Sequence, residues 1–418
     1  MLVSESQRAE SAPYTHEHAG RRDWTPATRV AFRVVFVYYA IFGCASLLDS
    51  SDAPRRLLDA LRAPVVGWVA HTLFHVSGTE RSAPVSWALA QQLAAILVAG
   101  LIAALWSLAS RRTEYDRLAG WSRIVLRYYV GVGMMVYGAF KVIPSQFPPI
   151  ALDQLAQPLG SLTPMGLLWS YMGYSAIYTI FAGLGESVGA FLLFFRRTAT
   201  LGALILVAVL SNVALINYAY DVPVKQLSTN LLVAAIVLAA PDARRLIAVF
   251  ALNAPTMPVD QSFAFGPKWR RVRRFLKPSV LVLGTGLPFA ASFYVHSSFM
   301  RRPPLYGVYD VETFVRNGNV VPPLATDETR WRRLTFSRPG AMSIQLMTDR
   351  LWPLAAVVDS ARHHVTGSER GAAAYAVTVD YTVFSGDSMR VRGTMHGDSI
   401  DVMLRRLDER KLFRLLAP

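Results

Sequence analysis

Long apolar stretches dominate the first 300 residues of the chain. A helix that crosses a bilayer needs about 20 mostly apolar residues, and seven stretches reach or approach that length. They lie over residues 28–48, 86–109, 122–142, 172–195, 198–220, 222–240 and 278–298. The pattern therefore predicts a membrane α-helical bundle of about seven spans.

Two apolar segments between these stretches are not predicted to cross. Residues 61–76 contain Pro64, His71 and His75, and we expect a short helix that lies on the membrane surface. The two histidines stand four residues apart and share one helix face, but no third ligand follows, so we expect no metal site. Residues 146–171 are rich in proline, which favours an extracytoplasmic loop with a short helical piece.

The pattern changes after Met300. Apolar and polar residues alternate from Tyr375 to Val383, which is typical of a strand. Other strand-like runs lie at 305–316, 331–338, 341–347, 388–395, 399–405 and 411–416. Turn pairs such as Asn317-Gly318 and His396-Gly397 separate some of these runs. We predict an all-β domain over residues 299–418, folded as a small barrel or sandwich.

Six aromatic residues of this β domain are candidates to line a ligand cavity or to form its core. They are Trp331, Phe336, Trp352, Tyr375, Tyr381 and Phe384. The core is the simpler interpretation, because aromatic side chains dominate core packing.

Composition narrows the class of protein. Of the 418 residues 53% are hydrophobic and 17% are charged, which excludes a disordered chain. The single cysteine, Cys44, excludes a disulfide framework and multi-cysteine metal sites. A net charge of +15 would suggest nucleic acid in a soluble chain, but in an apolar chain it reflects membrane topology. We therefore expect a lipid bilayer and no nucleic acid as partner.

Basic residues predict the orientation. With the N-terminus inside, the inner segments carry eighteen Lys and Arg residues and the outer loops before residue 299 carry five. We predict a multi-pass protein of the bacterial inner membrane with a cytoplasmic N-terminus and an extracytoplasmic β domain, periplasmic in a Gram-negative cell. The run Lys268–Arg274 is interpreted as a topology anchor, with binding of anionic lipid headgroups as the alternative.

These signals divide the chain into six segments. They are a disordered cytoplasmic tail at 1–27, two spans with an interfacial helix at 28–120, a four-helix membrane module at 121–245, a basic cytoplasmic loop at 246–277, the last span at 278–298 and the β domain at 299–418.

Charged residues within spans are costly and are functional candidates by default. Glu186 lies among glycines in the span 172–195, about 14 Å from its inner end, and Arg127 lies about 7 Å from the inner end of its own span. We expect these two side chains to be long enough to form a structural ion pair. A proton-handling or ligand-binding carboxylate is the alternative.

A second polar group is predicted at the outer level of the bundle and comprises Asn212, Asn217, Tyr218, Asp221, Pro223, Lys225, Gln226 and Asn230. Asp221 is expected to cap the helix that begins near Pro223, with Lys225 in its first turn and Lys141 at the same depth. The group is either a capped turn with interfacial lysines or a cradle for an anionic or carbonyl-bearing ligand. The full candidate cluster is Arg127, Lys141, Glu186, Asn217, Asp221 and Lys225. No residue is predicted to be catalytic, and no metal site is predicted.

The block from Arg127 to about Arg245 resembles the DoxX family, a four-helix membrane module. The residues that carry the likeness are Arg127, Gly131, Gly138 and Lys141, then Gly183, Glu186, Gly189 and Leu192-Leu193 before Arg196-Arg197, then Thr200–Ala203 and Asn217–Lys225. The extra spans and the β domain make the chain similar to the larger DoxX-like proteins.

The resemblance implies a membrane protein that in some family members is an accessory subunit of quinone-linked oxidation. A helical membrane domain followed by an exported β domain is also similar to the vitamin K-dependent carboxylase group. In that group a lysine acts as a base on a reduced quinone, and Lys225 or Lys141 would take that role here. The sequence carries no cofactor motif, so a quinone is implied by the resemblance alone.

Three functions follow as hypotheses, and whether the protein is an enzyme stays open. The first is an accessory membrane module that binds a quinone, a lipid or a partner protein and displays the β domain. The second is a membrane enzyme of quinone-linked oxidoreductase or carboxylase-like chemistry, in which Glu186 moves protons. The third is a transporter, which ranks last because the spans show no inverted repeat. A protein partner at the β domain is a further expectation.

Overall fold

The computed structural model describes residues 24–48, 52–76, 83–257, 267–369, 375–384 and 387–416. The predicted tail lies outside these residues up to position 23, and so does the side chain of Cys44. Contacts group the chain into two compact units. The first unit contains Met1–Gly131, Leu192–Ala214 and Val224–Pro278, and the second contains Val132–Phe191, Leu215–Pro223 and Ser279–Pro418.

The region before residue 301 is helical. Its helices are α1 (Pro26–Leu48), α2 (Asp52–Phe74), α3 (Pro84–Ala109), α4 (Asp116–Val142), α5 (Leu152–Leu155), α6 (Pro164–Tyr174), α7 (Ala176–Leu193), α8 (Ala199–Ala219), α9 (Lys225–Ala239), α10 (Ala243–Phe250) and α11 (Pro267–Met300). Each of the seven predicted spans coincides with a helix. The long apolar stretches thus predicted the positions of these helices well.

The predicted count of seven spans is not supported. Among the described residues, four helices are long and apolar enough to cross a membrane: α3, α7, α8 and the part Arg274–Met300 of α11. Arg127 and Lys141 interrupt the apolar run of α4, and side chains in the last part of α1 lie outside the described residues. Helix α9 has 15 residues and is about 22 Å long, which is short of a hydrocarbon core of about 30 Å.

In the first unit, α1 and α3 run antiparallel. Arg33 of α1 donates hydrogen bonds to Ser107 Oγ at 2.6 Å and to Tyr115 Oη at 2.7 Å, while Tyr38 packs beside Ala99. Arg33 is buried because these oxygens satisfy its guanidinium.

Helix α2 joins α1 to α3 and is longer than the predicted interfacial helix. Its second half packs on the first turns of α3, since Val69 and Ala70 share a core with Ala90 and Ala94. Leu57, Leu61 and Trp68 remain exposed. His75 lies beyond the helix end in a left-handed conformation, so the two histidines do not share a helical face as predicted.

The C-terminal region is a closed antiparallel barrel. Its strands are β1 (Gly307–Arg316), β2 (Asn319–Val320), β3 (Trp331–Arg338), β4 (Ala341–Leu346), β5 (Leu351–Asp359), β6 (His364–Ser368), β7 (Tyr375–Val383), β8 (Ser388–Met395) and β9 (Asp398–Leu407). From β3 to β9 neighbours along the chain pair in order, β1 pairs with β3, and β9 returns to pair with β1. Eight strands close the barrel, and β2 forms a short hairpin on β1. Of the two predicted forms, the barrel is confirmed.

The sequence missed two of the eight barrel strands, β5 and β6, as well as the short β2, and it predicted one strand wrongly. β5 contains Pro353 and β6 is short and polar, so neither shows a clear alternation. Residues 411–416 are not a strand, because Asp408 caps the helical turn α12 (Glu409–Leu412), and a 3₁₀ turn follows it. The Asn317-Gly318 and His396-Gly397 turns are confirmed, with positive φ at all four residues.

Large apolar side chains fill the barrel. Trp331, Phe314 and Phe336 are almost fully buried, together with aliphatic residues from most strands. Tyr381 joins this core and Trp352 packs at its edge, whereas Phe384 is exposed and the side chain of Tyr375 lies outside the described residues. The expectation that these aromatics form a core therefore holds for most of them.

Helix α5 docks on the outer surface of the barrel, within the second unit. The Asp153 carboxylate accepts hydrogen bonds from Ser337 of β3 and Ser343 of β4, both at 2.9 Å. Leu152 packs in a small core with Val308 and Phe413. The outward-facing side of β4 is consequently buried, and the α4–α6 connection is attached to the barrel.

A substitution at Gly393 tests the packing of β8 against β7. A Cβ atom at this position would contact the Thr378 carbonyl oxygen and lie 2.8 Å from Val379 Cα, and neither backbone atom can move freely. We expect Gly393→Ala to destabilise the barrel by about 1–3 kcal/mol, measured as a lower unfolding midpoint. Gly286→Ala is the control, because no heavy atom lies within 4 Å of its added Cβ. Equal midpoints for the two variants would contradict the described register.

Candidate functional site

Helices α4 and α7 cross at two glycines in the second unit. A Cβ atom on Gly138 would lie 2.8 Å from the backbone nitrogen of Ser187, and one on Gly183 would lie 2.7 Å from that of Val142. Only glycine permits this approach, in the way that small residues allow close contact between membrane helices. The crossing fixes which side chains of the two helices meet.

One turn beyond each glycine, Lys141 meets Glu186. Lys141 Nζ donates to both oxygens of the Glu186 carboxylate, at 2.7 and 2.8 Å. Their side chains are 7% and 1% exposed, so the pair is withdrawn from solvent. The Tyr137 ring lies 5.8 Å from Lys141 Nζ and adds a cation–π contact. A buried pair of this kind is stable only when both charges stay matched.

The predicted pairing of Glu186 with Arg127 is wrong. Depth along each helix does not by itself reveal the Gly138–Gly183 crossing, which brings the last turn of α4 onto α7. Lys141 is therefore the ionic partner. The Arg127 guanidinium lies over the ring of Tyr128, 5.3 Å from its centroid.

Several buried polar groups of the second unit have no hydrogen-bond partner among the described residues. Two of them lie in α7 and α8, namely the hydroxyl of Ser187, which follows Glu186 in the chain, and the Nδ2 group of Asn217. The residues are 8% and 6% exposed. A buried polar group without a partner is rare in native structures and calls for an explanation such as a bound water or ligand.

The turn between α8 and α9 differs from its prediction. Asn217 O accepts the backbone N–H of Val222 at 3.0 Å, and Asp221 adopts a left-handed conformation in this turn. Val224 occupies the N-cap of α9, so Asp221 does not cap this helix as expected. Lys225 begins α9 and is buried.

The structure thus brings together part of the predicted cluster. Lys141 contacts Glu186, and Asn217 and Asp221 share the α8–α9 turn. These four residues belong to the second unit, whereas Arg127 and Lys225 belong to the first.

A buried polar network in the first unit contains Asn230 of the predicted outer polar group, whereas its other members were not predicted. Tyr38 donates to the side-chain oxygen of Asn230, Gln92 Nε2 donates to Tyr38 Oη at 2.6 Å, and Tyr39 Oη donates to Asn230 O at 3.0 Å. The network joins α1, α3 and α9. The amide pair Gln91-Gln92 within an apolar stretch was the available signal.

Asp242 is the second feature that sequence reasoning missed. Its carboxylate is 1% exposed and accepts from Thr200 Oγ1 at 2.6 Å and Arg245 Nη1 at 3.1 Å, with Arg123 at 3.7 Å. Its signal in the sequence was that a single acidic residue follows the predicted span 222–240. Among the described residues, no group of three potential metal ligands comes together.

Comparison with known proteins gives one informative match. The chain is 36% identical over 124 residues to the uncharacterized protein YwoB of Bacillus subtilis, and the match covers 30% of this chain and 79% of YwoB. No family model matches the chain. No solved structure matches it.

The energetics of the Lys141–Glu186 pair can be tested with a double-variant cycle. Lys141→Met leaves a buried carboxylate unpaired and should cost about 3–5 kcal/mol, whereas Lys141→Met combined with Glu186→Leu should cost much less. The measurement is the free energy of unfolding in detergent.

The control for this cycle is an exposed pair of the same type. Lys411 lies 3.7 Å from Asp408, with side chains 87% and 53% exposed, so Lys411→Met should cost less than about 1 kcal/mol. If the Lys141 and Glu186 substitutions were additive, the two side chains would not be coupled as described.

Proposed function

The chain belongs to the family of the uncharacterized protein YwoB, and we propose that it is a multi-pass inner-membrane protein with an accessory, ligand-binding role. Its helical region binds a lipid-phase molecule beside Lys141, and its barrel stands on the outer side of the membrane. The observation that carries the proposal is the unpartnered Ser187 hydroxyl next to the buried Lys141–Glu186 pair. The accessory role is also what the DoxX resemblance implies.

The docking of α5 supports a specific topology. Because Asp153 contacts β3 and β4, the α4–α6 connection and the barrel must lie on the same side of the membrane. The chain between them must then cross an even number of times. Helices α7, α8 and α11 supply three crossings, so a fourth is required.

Helix α9 is the fourth crossing in this proposal. Asp242, which follows α9, bonds to Thr200 in the first turn of α8 at 2.6 Å. The end of α9 therefore returns to the level at which α8 begins, and the two helices cover the same depth. The turns that flank α9 extend it to about the 20 residues that a span needs. The excess of basic residues on the other side supports an outer position for the barrel.

The chemistry around Glu186 supports a ligand with an acceptor oxygen. A lysine ammonium has three donors, two of which engage Glu186. The Ser187 hydroxyl, which lies against Gly138 one turn before Lys141, supplies another donor. In a lipid-phase site these groups would hold a carbonyl or phosphate oxygen, as in a quinone or a lipid. Any catalytic role for Lys141 or Glu186 would first require their pair to open, which is why we favour binding over turnover.

The proposed topology predicts which positions react from outside the cell. With Cys44 replaced by Ala, single cysteines would be introduced by Ser161→Cys after α5, Arg362→Cys in the barrel and Arg197→Cys in the exposed α7–α8 turn. We expect a membrane-impermeant maleimide to label the first two in intact cells and the third only after permeabilisation. Labelling of Ser161→Cys and Arg362→Cys from opposite sides would contradict the even number of crossings between α5 and the barrel.

The proposed ligand site predicts a selective loss of bound molecules. We expect mass spectrometry of the protein purified in mild detergent to find a quinone or lipid. Ser187→Ala should reduce this ligand about 5-fold, since a lost buried hydrogen bond costs about 1 kcal/mol. Ser211→Ala is the control, because its exposed hydroxyl bonds to Val207 O within α8.

Two outcomes would count against this function. Equal amounts of bound ligand in the Ser187 and Ser211 variants would show that the buried hydroxyl does not bind it. Oxidation of a quinol analogue by the purified protein without partners would replace the accessory role with an enzymatic one.

A further inference from the structure

Basic side chains gather at one end of the first unit. Lys277 Nζ of α11 lies 5.2 Å from the ring centroid of Phe195, which stands two residues before Arg197 in the α7–α8 turn. The Thr200–Asp242 hydrogen bond holds the start of α10 at the same end. Four of the exposed arginines here are Arg197, Arg244, Arg271 and Arg274. We refer to these four residues and Lys277 as the basic surface.

Helix α10 presents an apolar side at this end. Ile247 is 56% exposed and Phe250 78%, and Leu252 just beyond the helix is 69% exposed. Arg244 and Arg245 occupy the other sides of the helix. Asp242 accepts from Arg245 at 3.1 Å, which fixes the rotation of α10 and keeps its apolar side outward.

The position of this apolar side indicates that lipid covers it. Thr200 lies in the first turn of α8, one of the helices that are long and apolar enough to cross a membrane. The start of α10 is therefore at the level where a membrane helix ends, which is the lipid interface. An amphipathic helix with basic and large apolar residues is typical of interfacial binding.

We propose that α10 lies in the inner membrane interface and that the basic surface binds the headgroups of anionic phospholipids. Ile247 and Phe250 enter the acyl boundary, while the arginines reach the phosphate groups. The proposal rests on the membrane insertion described above but not on the ligand site at Ser187. Each of the two binding proposals can therefore fail alone.

Lipid retention by the full-length protein tests the charge component. In detergent, titration with phosphatidylglycerol and phosphatidylcholine would be followed by native mass spectrometry. We expect the wild type to retain phosphatidylglycerol preferentially. The combined variant Arg197→Gln, Arg244→Gln, Arg271→Gln, Arg274→Gln should bind it at least about tenfold more weakly, since each basic residue near a membrane contributes about fivefold.

The matched control removes the same charge elsewhere. Arg350→Gln, Arg362→Gln, Arg410→Gln, Arg414→Gln changes exposed arginines in the C-terminal region and should leave retention unchanged. Equal loss in both variants, or equal binding of the two lipids by the wild type, would overturn the proposal.

A fluorescent probe tests the apolar component separately. In the Cys44→Ala background, Phe250→Cys carrying an environment-sensitive dye should show blue-shifted emission in phosphatidylglycerol nanodiscs. Arg362→Cys, in an exposed turn of the barrel, should show the emission of a probe in water. If both probes emitted alike, α10 would not be inserted in the interface.

Discussion

Two hydrogen bonds to the Asp153 carboxylate constrain how the chain can cross the membrane. Asp153 accepts from Ser337 and Ser343, side chains that lie more than 180 positions later in the chain. A chain that spans a bilayer can change sides only by crossing it, since each crossing must satisfy its backbone polar groups within a helix. The contact between α5 and the barrel therefore constrains every crossing between them, and the proposed orientation follows from it together with the basic residues.

The helical region follows a second constraint, which is that polar groups in apolar surroundings need partners. Arg33 is matched by Ser107 and Tyr115, and Asp242 by Thr200 and Arg245. Lys141 and Glu186 satisfy each other. Against this background the unpartnered Ser187 hydroxyl is the feature of the α4–α7 crossing that packing does not explain, and it is where we place the ligand.

Local patterns in the sequence predicted much of the fold. The long apolar stretches located the helices, and alternation together with turn pairs such as Asn317-Gly318 located most barrel strands. Both signals depend only on residues that are neighbours in the sequence. Strand β5 was missed because Pro353 and successive apolar residues hide its alternation. Contacts between distant elements could not be derived in this way. Glu186 was recognised as a candidate, but its partner Lys141 is set by the crossing at Gly138 and Gly183.

A cross-link between α5 and the barrel tests the central claim most directly. In the Cys44→Ala background, Asp153→Cys with Ser343→Cys should form an intramolecular disulfide under mild oxidation, because the Asp153 carboxylate lies 2.9 Å from Ser343 Oγ. Asp153→Cys with Arg362→Cys is the matched control and should form far less. Failure of the first pair to cross-link in folded, membrane-inserted protein would contradict the docking of α5 and the topology that depends on it.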